Sequence, residues 1–198
     1  MLAFSTIAQM GFVLLGLVAG VSFTAEGAST ANTANAYSAT MFYIVTYVLT
    51  TLATFGVLLL LSSNKLEVTK LSDLAGLNQR NPVMAGVMAA AMFSLAGVPP
   101  LVGFYAKLSV LQALMASSQA IYIYLAVFAV VMSLIGAFYY LRIVKLMYFD
   151  EPTVGDAIQV PADARLVLSL NGLSLLVLGI VPSGLMAICA YAIVELLV

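Results

Sequence analysis

Apolar residues run in long blocks along this chain, and polar or charged residues collect in the short stretches between them. The first block covers residues 1–23 and the second 38–61. Further blocks follow at 82–98, 103–118, 120–147 and 164–197. About 20 apolar residues in a helix cross the roughly 30 Å hydrocarbon core of a bilayer. None of the blocks alternates apolar and polar positions, as strands of a membrane barrel would. The pattern therefore predicts an all-α polytopic membrane protein, a single transmembrane domain of about six helices. The last block carries Pro182, Ser183 and Gly184, which predict a kink or tilt within one long helix.

The connections differ in character. A polar stretch with Thr24, Glu26, Ser29, Asn32 and Asn35 joins the first two blocks. Residues 62–81 hold Lys65, Glu67, Lys70, Asp73 and Arg80, while Ser117, Ser118 and Gln119 make a tight turn. An acidic connection with Asp150, Glu151, Asp156 and Asp163 precedes the last block. Counting blocks 82–98, 103–118 and 120–147 as three spans puts the connection at 62–81 and the one after Arg142 on opposite sides. Their basic residues then balance, and orientation stays open.

Composition excludes the soluble alternatives. Hydrophobic residues make up 64% of the chain and charged residues 8%, against about half and about a quarter in an average soluble domain. The excess apolar surface must meet lipid. A net charge of −1 from scattered Lys and Arg fits neither a nucleic-acid binder nor a polybasic membrane-surface protein. No basic residues precede the first block and no small-residue cleavage site follows it, so it does not read as a signal peptide. There is no histidine and a single cysteine, Cys189, so the sequence offers no ligand set for an iron–sulfur cluster or a structural zinc. It carries no nucleotide-binding loop either.

One charge stands where it should not. Between Arg80 and Arg142 the only charged residue is Lys107. Lysine at the centre of a membrane helix costs on the order of 2.5–3.5 kcal/mol, and such residues mark ion or proton paths. A snorkelling side chain near a helix end is the alternative. Just before it, Gly97, Pro99, Pro100 and Gly103 interrupt two short apolar segments. That is the pattern of a discontinuous transmembrane helix, whose freed backbone groups need protein or water at depth. An ordinary hairpin between two spans would share it. The second block adds hydroxyls at Tyr43, Tyr47, Thr50 and Thr54, spaced to share one helix face. That face can line hydrated space or bond helices together. Gly16 and Gly20 predict close helix packing. Tyr139, Tyr140, Arg142 and Lys145 predict an interfacial anchor.

The segments MLAFSTIAQMGFVLLGL, SLAGVPPLVGFYAKLSVLQAL and LIGAFYYLRIVKLMYFDEP resemble the antiporter-like membrane subunits of proton-translocating NADH:quinone oxidoreductase, bacterial respiratory complex I. The nearest resemblance is to the carboxy-terminal portion of the subunit N family. It runs along essentially the whole chain, and its most specific part is Gly97-x-Pro99 followed by Gly103-Phe104-x-x-Lys107. The resemblance implies a fourteen-helix protein of two inverted five-helix repeats. This chain would then be the second repeat plus a final helix, discontinuous at Pro99-Pro100.

The resemblance further implies that Lys107 is a channel lysine on a proton path, and the hydroxyl face of Tyr43, Tyr47 and Thr50 is the expected continuation of that path. The resemblance also implies multi-pass residence in the bacterial inner membrane, with lipid and other membrane-arm subunits as partners and no nucleic acid. The chain would bind no cofactor; NADH, FMN, iron–sulfur clusters and quinone belong to the complex. Tyr43 and Tyr47 stand where larger relatives carry histidine. The family's first repeat, with its channel glutamate and paired lysines, is missing. The chain thus reads as a truncated product, an internal start or one part of a split subunit, and the missing amino-terminal half becomes a possible partner. Two alternatives remain: a piece of a multi-subunit cation/proton antiporter, and a structural module without transport.

Overall fold

The computed structural model describes residues 1–25, 30–63, 70–116, 119–152, 158 and 160–197. Glu26, Ser29, Lys65, Glu67, Ser117, Ser118 and Asp156, singled out above, lie outside them. The helices are α1 (Leu2–Ala25), α2 (Thr30–Ser63), α3 (Leu77–Arg80), α4 (Pro82–Ala96), α5 (Val102–Met115), α6 (Ala120–Phe149), α7 (Ala162–Ile180) and α8 (Ser183–Leu197). A 3₁₀ turn at Leu71–Leu74 precedes α3. Four of them, α1, α2, α6 and α7, are long and apolar enough to cross a membrane.

Two boundaries differ from expectation. The polar stretch through Asn32 and Asn35 is helical, forming the first turns of α2. Its alanines favour helix, and both Asn side chains stay exposed while Thr33 and Ala36 turn inward. The block at 164–197 is two helices rather than one kinked helix. Pro182 carries no amide for the carbonyl four residues back and pushes Val181 out of the helical region. Val181 accordingly sits at φ −125, ψ 70.

α2 is the spine of the fold. α1 runs antiparallel to it: Thr6 meets Tyr47, Phe12 stacks on Tyr43, and Gly16 faces Thr40. A Cβ at Gly16 would overlap the Thr40 hydroxyl, and one at Gly20 would overlap the Tyr37 ring. These glycines therefore set the helix separation. Gly16→Leu is expected to destabilise the fold by about 1–3 kcal/mol, the usual cost of overpacking. The readout is a lowered unfolding midpoint in detergent.

α4 and α5 follow one another along α2 in a single direction. Ser94 near the end of α4 lies by Thr50, and Tyr105 on α5 lies by Phe42. The two short helices are halves of one discontinuous crossing, not a hairpin of two spans. α6 then runs back along both, with Ser133 at Lys107 and Leu146 at Gly76.

This changes the sidedness expected from the sequence. Only two crossings separate the 62–81 connection from the one after α6, so both lie at the same end. They touch there: Gly76 N–H donates to Leu146 O at 3.0 Å, and Asn81 Nδ2 to Ile158 O at 3.1 Å. Lys70, Arg80, Arg142, Lys145 and Arg165 all belong to this end, called the basic end below. The balanced count was an artefact of reading α4 and α5 as separate spans.

Candidate functional site

The site begins with how α4 stops. Gly97 adopts φ 83, a conformation that suits glycine. Its N–H and that of Val98 fold back onto the carbonyls of Ser94 and Phe93, each at 3.0 Å. This double bond pattern is the usual glycine terminator of helices. The next two carbonyls, Leu95 O and Ala96 O, would in a continuing helix accept from residues 99 and 100. Those residues are Pro99 and Pro100, which have no amide hydrogen. The sequence thus leaves two acceptors open at the end of α4, in a medium where an unsatisfied backbone group costs several kcal/mol.

Lys107 takes both. It sits in the second turn of α5, and helical side chains lean toward their own N-terminus, here back toward the break. Its Nζ donates to Leu95 O at 2.8 Å, to Ala96 O at 3.2 Å and to Ser133 Oγ on α6 at 2.8 Å. Three acceptors match the three donors of an ammonium. The negative end of the α4 dipole adds to the attraction, and the Phe12 ring lies 5.4 Å from Nζ, within cation–π range. Only 9% of the residue is exposed. Among the described residues no carboxylate forms an ion pair with it. Gly97 also leaves room for this side chain, because a Cβ there would stand 3.1 Å from Lys107 Cδ.

Depth decides against snorkelling. Ser133 lies near the midpoint of the 30-residue α6, about 20 Å from either end at 1.5 Å per residue. The helix break and the Lys107 ammonium therefore sit near the middle of the span.

Around them is a polar network that the sequence pattern did not announce. Gln9 of α1 donates through Nε2 to Leu95 O at 3.3 Å and to Tyr140 Oη at 3.2 Å. Its Oε1 accepts a short hydrogen bond from Tyr43 Oη. Tyr140 Oη lies 2.6 Å from Ser5 Oγ, toward the basic end. Tyr47 Oη donates to Thr6 Oγ1 at 2.9 Å. Ser94 Oγ accepts from Gly103 N–H at 3.2 Å and lies 3.4 Å from Thr50 Oγ1.

Lys107, Gln9, Tyr43, Tyr47 and Thr50 line one internal gap of about 10 Å³, room for roughly one water. Lys107, Tyr43, Tyr47 and Thr50, expected from the sequence, therefore meet in one place; of the break residues Gly97, Pro99, Pro100 and Gly103, only Gly103 borders the gap, while Pro99 and Pro100 are exposed. Tyr140 departs from the interfacial-anchor expectation: it is 5% exposed and hydrogen-bonded, whereas Tyr139 is 51% exposed. Gln9, Ser94, Ser133 and Tyr140 were not read as site residues. The available signal was that Gln9 and Ser133 are isolated polar residues deep in apolar runs.

A groove between α1 and α6 opens this site to the outside. Its inner part, about 270 Å³, reaches Lys107, Gln9 and Ser133. A wider part of about 650 Å³ continues past Ser5 and Tyr140 to Arg142 at the basic end. Gly11 and Gly136 both line the inner part, and an added Cβ at Gly11 would meet nothing. Among the described residues no His, Cys, Asp or Glu cluster has the make-up of a metal site.

Known proteins share this architecture. The chain is 63% identical over 195 residues to NADH-quinone oxidoreductase subunit N of Polaromonas naphthalenivorans, covering 98% of this chain and 38% of that protein. It is 56% identical over 197 residues to the subunit N of Herminiimonas arsenicoxydans, again covering 38% of that protein. The chain thus spans well under half the length of the curated relatives it matches.

Among solved structures, a chain of respiratory complex I from Thermus thermophilus superposes with a TM-score of 0.65 at 25% identity. The match covers 93% of this chain and 44% of that one. A chain of the Mrp complex from Dietzia sp. DQ12-45-1b superposes with a TM-score of 0.74 at 22% identity, covering 97% and 41%; that likeness concerns the fold alone. Residues 1–133, which include Tyr43, Tyr47, Thr50 and Lys107, match the family described as NADH:quinone oxidoreductase/Mrp antiporter, transmembrane. The chain belongs to that family.

Proposed function

We propose that this chain forms part of the membrane arm of a proton-translocating NADH:quinone oxidoreductase and takes part in proton transfer through Lys107. The observation that carries the reading is a mid-depth ammonium held by two helix-end carbonyls and a serine, beside a polar gap and below an open groove. A charge so placed costs energy that simple packing does not need. Lysine, unlike arginine, gives up its proton when its surroundings change.

The chain has no redox role in this reading. NADH, FMN, iron–sulfur clusters and quinone are handled by other subunits of the complex. The relatives at 56–63% identity, all named subunit N, support it over a cation/proton antiporter. The isolated chain is not expected to pump. The amino-terminal part present in the relatives is a partner, along with other membrane-arm subunits and lipid.

Carboxy-terminal affinity capture from native membranes in mild detergent tests the assignment. NADH:quinone reductase activity should co-elute with the chain. Elution without that activity would remove the reading.

Orientation follows from the shared basic end. Lys and Arg concentrate on cytoplasmic connections, so the basic end faces the cytoplasm of the bacterial inner membrane. Cysteines placed at Lys70 and Lys145, after Cys189→Ser, are expected to react with a membrane-impermeant maleimide in inverted vesicles. Labelling of either from the opposite face would reverse or refute this orientation.

A further inference from the structure

We propose that Gln9 is an insulating residue: its carboxamide keeps the Lys107 proton from the Tyr140–Ser5 hydroxyl arm until a water takes its place. The inference rests on the proton-path reading of Lys107 and adds a control point to it.

The argument is one of hydrogen-bond polarity. A carbonyl oxygen only accepts. Leu95 O accepts from both Lys107 Nζ and Gln9 Nε2, using its two lone pairs. That carbonyl fixes which way the Gln9 amide points, because reversing it would set two oxygens face to face. Oε1 must then face Tyr43, whose hydroxyl donates to it. The second amide hydrogen goes to Tyr140 Oη, which leaves the Tyr140 proton free to point at Ser5 Oγ, 2.6 Å away.

A proton hops along a chain only where each member accepts on one side and donates on the other. Tyr140 and Ser5 are hydroxyls and qualify. Leu95 O has no hydrogen to pass on, and a carboxamide would have to go through its imidic acid form. Between Lys107 and Tyr140 the chain of bonds is thus complete for structure and broken for conduction.

Water repairs the break. Lys107, Gln9 and Tyr140 all border the inner part of the α1–α6 groove. If the amide swings aside and Lys107 Nζ turns one of its three hydrogens from the weaker bond to Ala96 O, 3.2 Å long, a water can accept that hydrogen and donate to Tyr140 Oη. The ammonium then gives one proton to that water, the water gives one to Tyr140, and Tyr140 passes its own to Ser5. Ser5 releases its own to water in the wider part of the groove, which it borders. A neutral lysine amine is left behind. The arm leads toward the basic end.

The test uses the assembled complex, with the full-length subunit, in sealed vesicles without NADH, and follows decay of an imposed pH gradient with a pH-sensitive dye. Gln9→Ala and Gln9→Ser vacate space for water at this point, and both are expected to speed decay several-fold. Gln9→Leu removes the same hydrogen bonds but fills the space with an apolar group, and is expected to decay as slowly as the parent. Adding Tyr140→Phe to Gln9→Ala is expected to restore the parental rate. Equal leakage in Gln9→Leu and Gln9→Ala would mean packing damage and would overturn the proposal. So would parental decay in both Gln9→Ala and Gln9→Ser. Either result leaves the effect of Lys107 substitutions on pumping to be judged separately.

Discussion

Lys107→Met in the assembled complex is expected to bring proton uptake per NADH oxidised close to the vesicle background while the complex still assembles. Two opposing terms govern stability. Methionine leaves Ala96 O without its donor, and Leu95 O with only Gln9, at about 1–3 kcal/mol for an unsatisfied buried group. It also removes a buried charge whose desolvation costs several kcal/mol. These terms nearly offset, and methionine fills a similar volume. Loss of pumping in folded protein would therefore report on the missing proton carrier. A structural role for Lys107 predicts the reverse, with pumping per NADH unchanged. Blue-native electrophoresis beside dye-monitored acidification separates the two.

Gly103→Val is expected to prevent accumulation of folded protein. Gly103 opens the second half of the broken crossing, pressed against the last turn of the first half. An added Cβ would overlap the Ser94 carbonyl oxygen and come within 2.7 Å of its carbon. The obstacle is backbone, so no rotamer change relieves it. Relief requires α5 to move off α4, which breaks the Gly103 N–H bond to Ser94 Oγ and pulls Lys107 from its acceptors. A cost of at least about 3 kcal/mol follows from overpacking of this kind. Ser94→Ala should not rescue the variant: it removes the hydroxyl 2.8 Å from the added Cβ but leaves the closer clash with the Ser94 backbone carbonyl. The yield of monodisperse protein in detergent checks both statements.

The sequence carried the site's anchor more clearly than its surroundings. Lys107 is legible because a lone charge in apolar sequence has few innocent explanations. The pairing of Pro99 and Pro100 with Leu95 O and Ala96 O is legible too, by counting four residues back from each proline. What could not be read was the meeting of distant elements. Gln9 touches Leu95 and Tyr140, 86 and 131 positions away, and nothing local in either segment marks the encounter.

Sidedness failed for a different reason. α4 and α5 have 15 and 14 residues, lengths that read equally as short spans or as half-crossings, and only their common direction along α2 separates these cases. Pro182 was visible as an irregularity. Whether a proline bends a helix or ends it depends on whether neighbours satisfy the freed carbonyls, which periodicity does not encode.

The most direct test of the central claim is the ratio of protons moved to NADH oxidised with arginine at position 107. Lys107→Arg keeps a cation at the end of α4 and can still donate to Leu95 O, Ala96 O and Ser133, but a guanidinium does not release its proton. If Lys107 carries protons, the ratio falls in an assembled complex even though the charge and its contacts are retained. A parental ratio in Lys107→Arg would show that only the charge matters, and Lys107 would be a structural clasp on a broken helix.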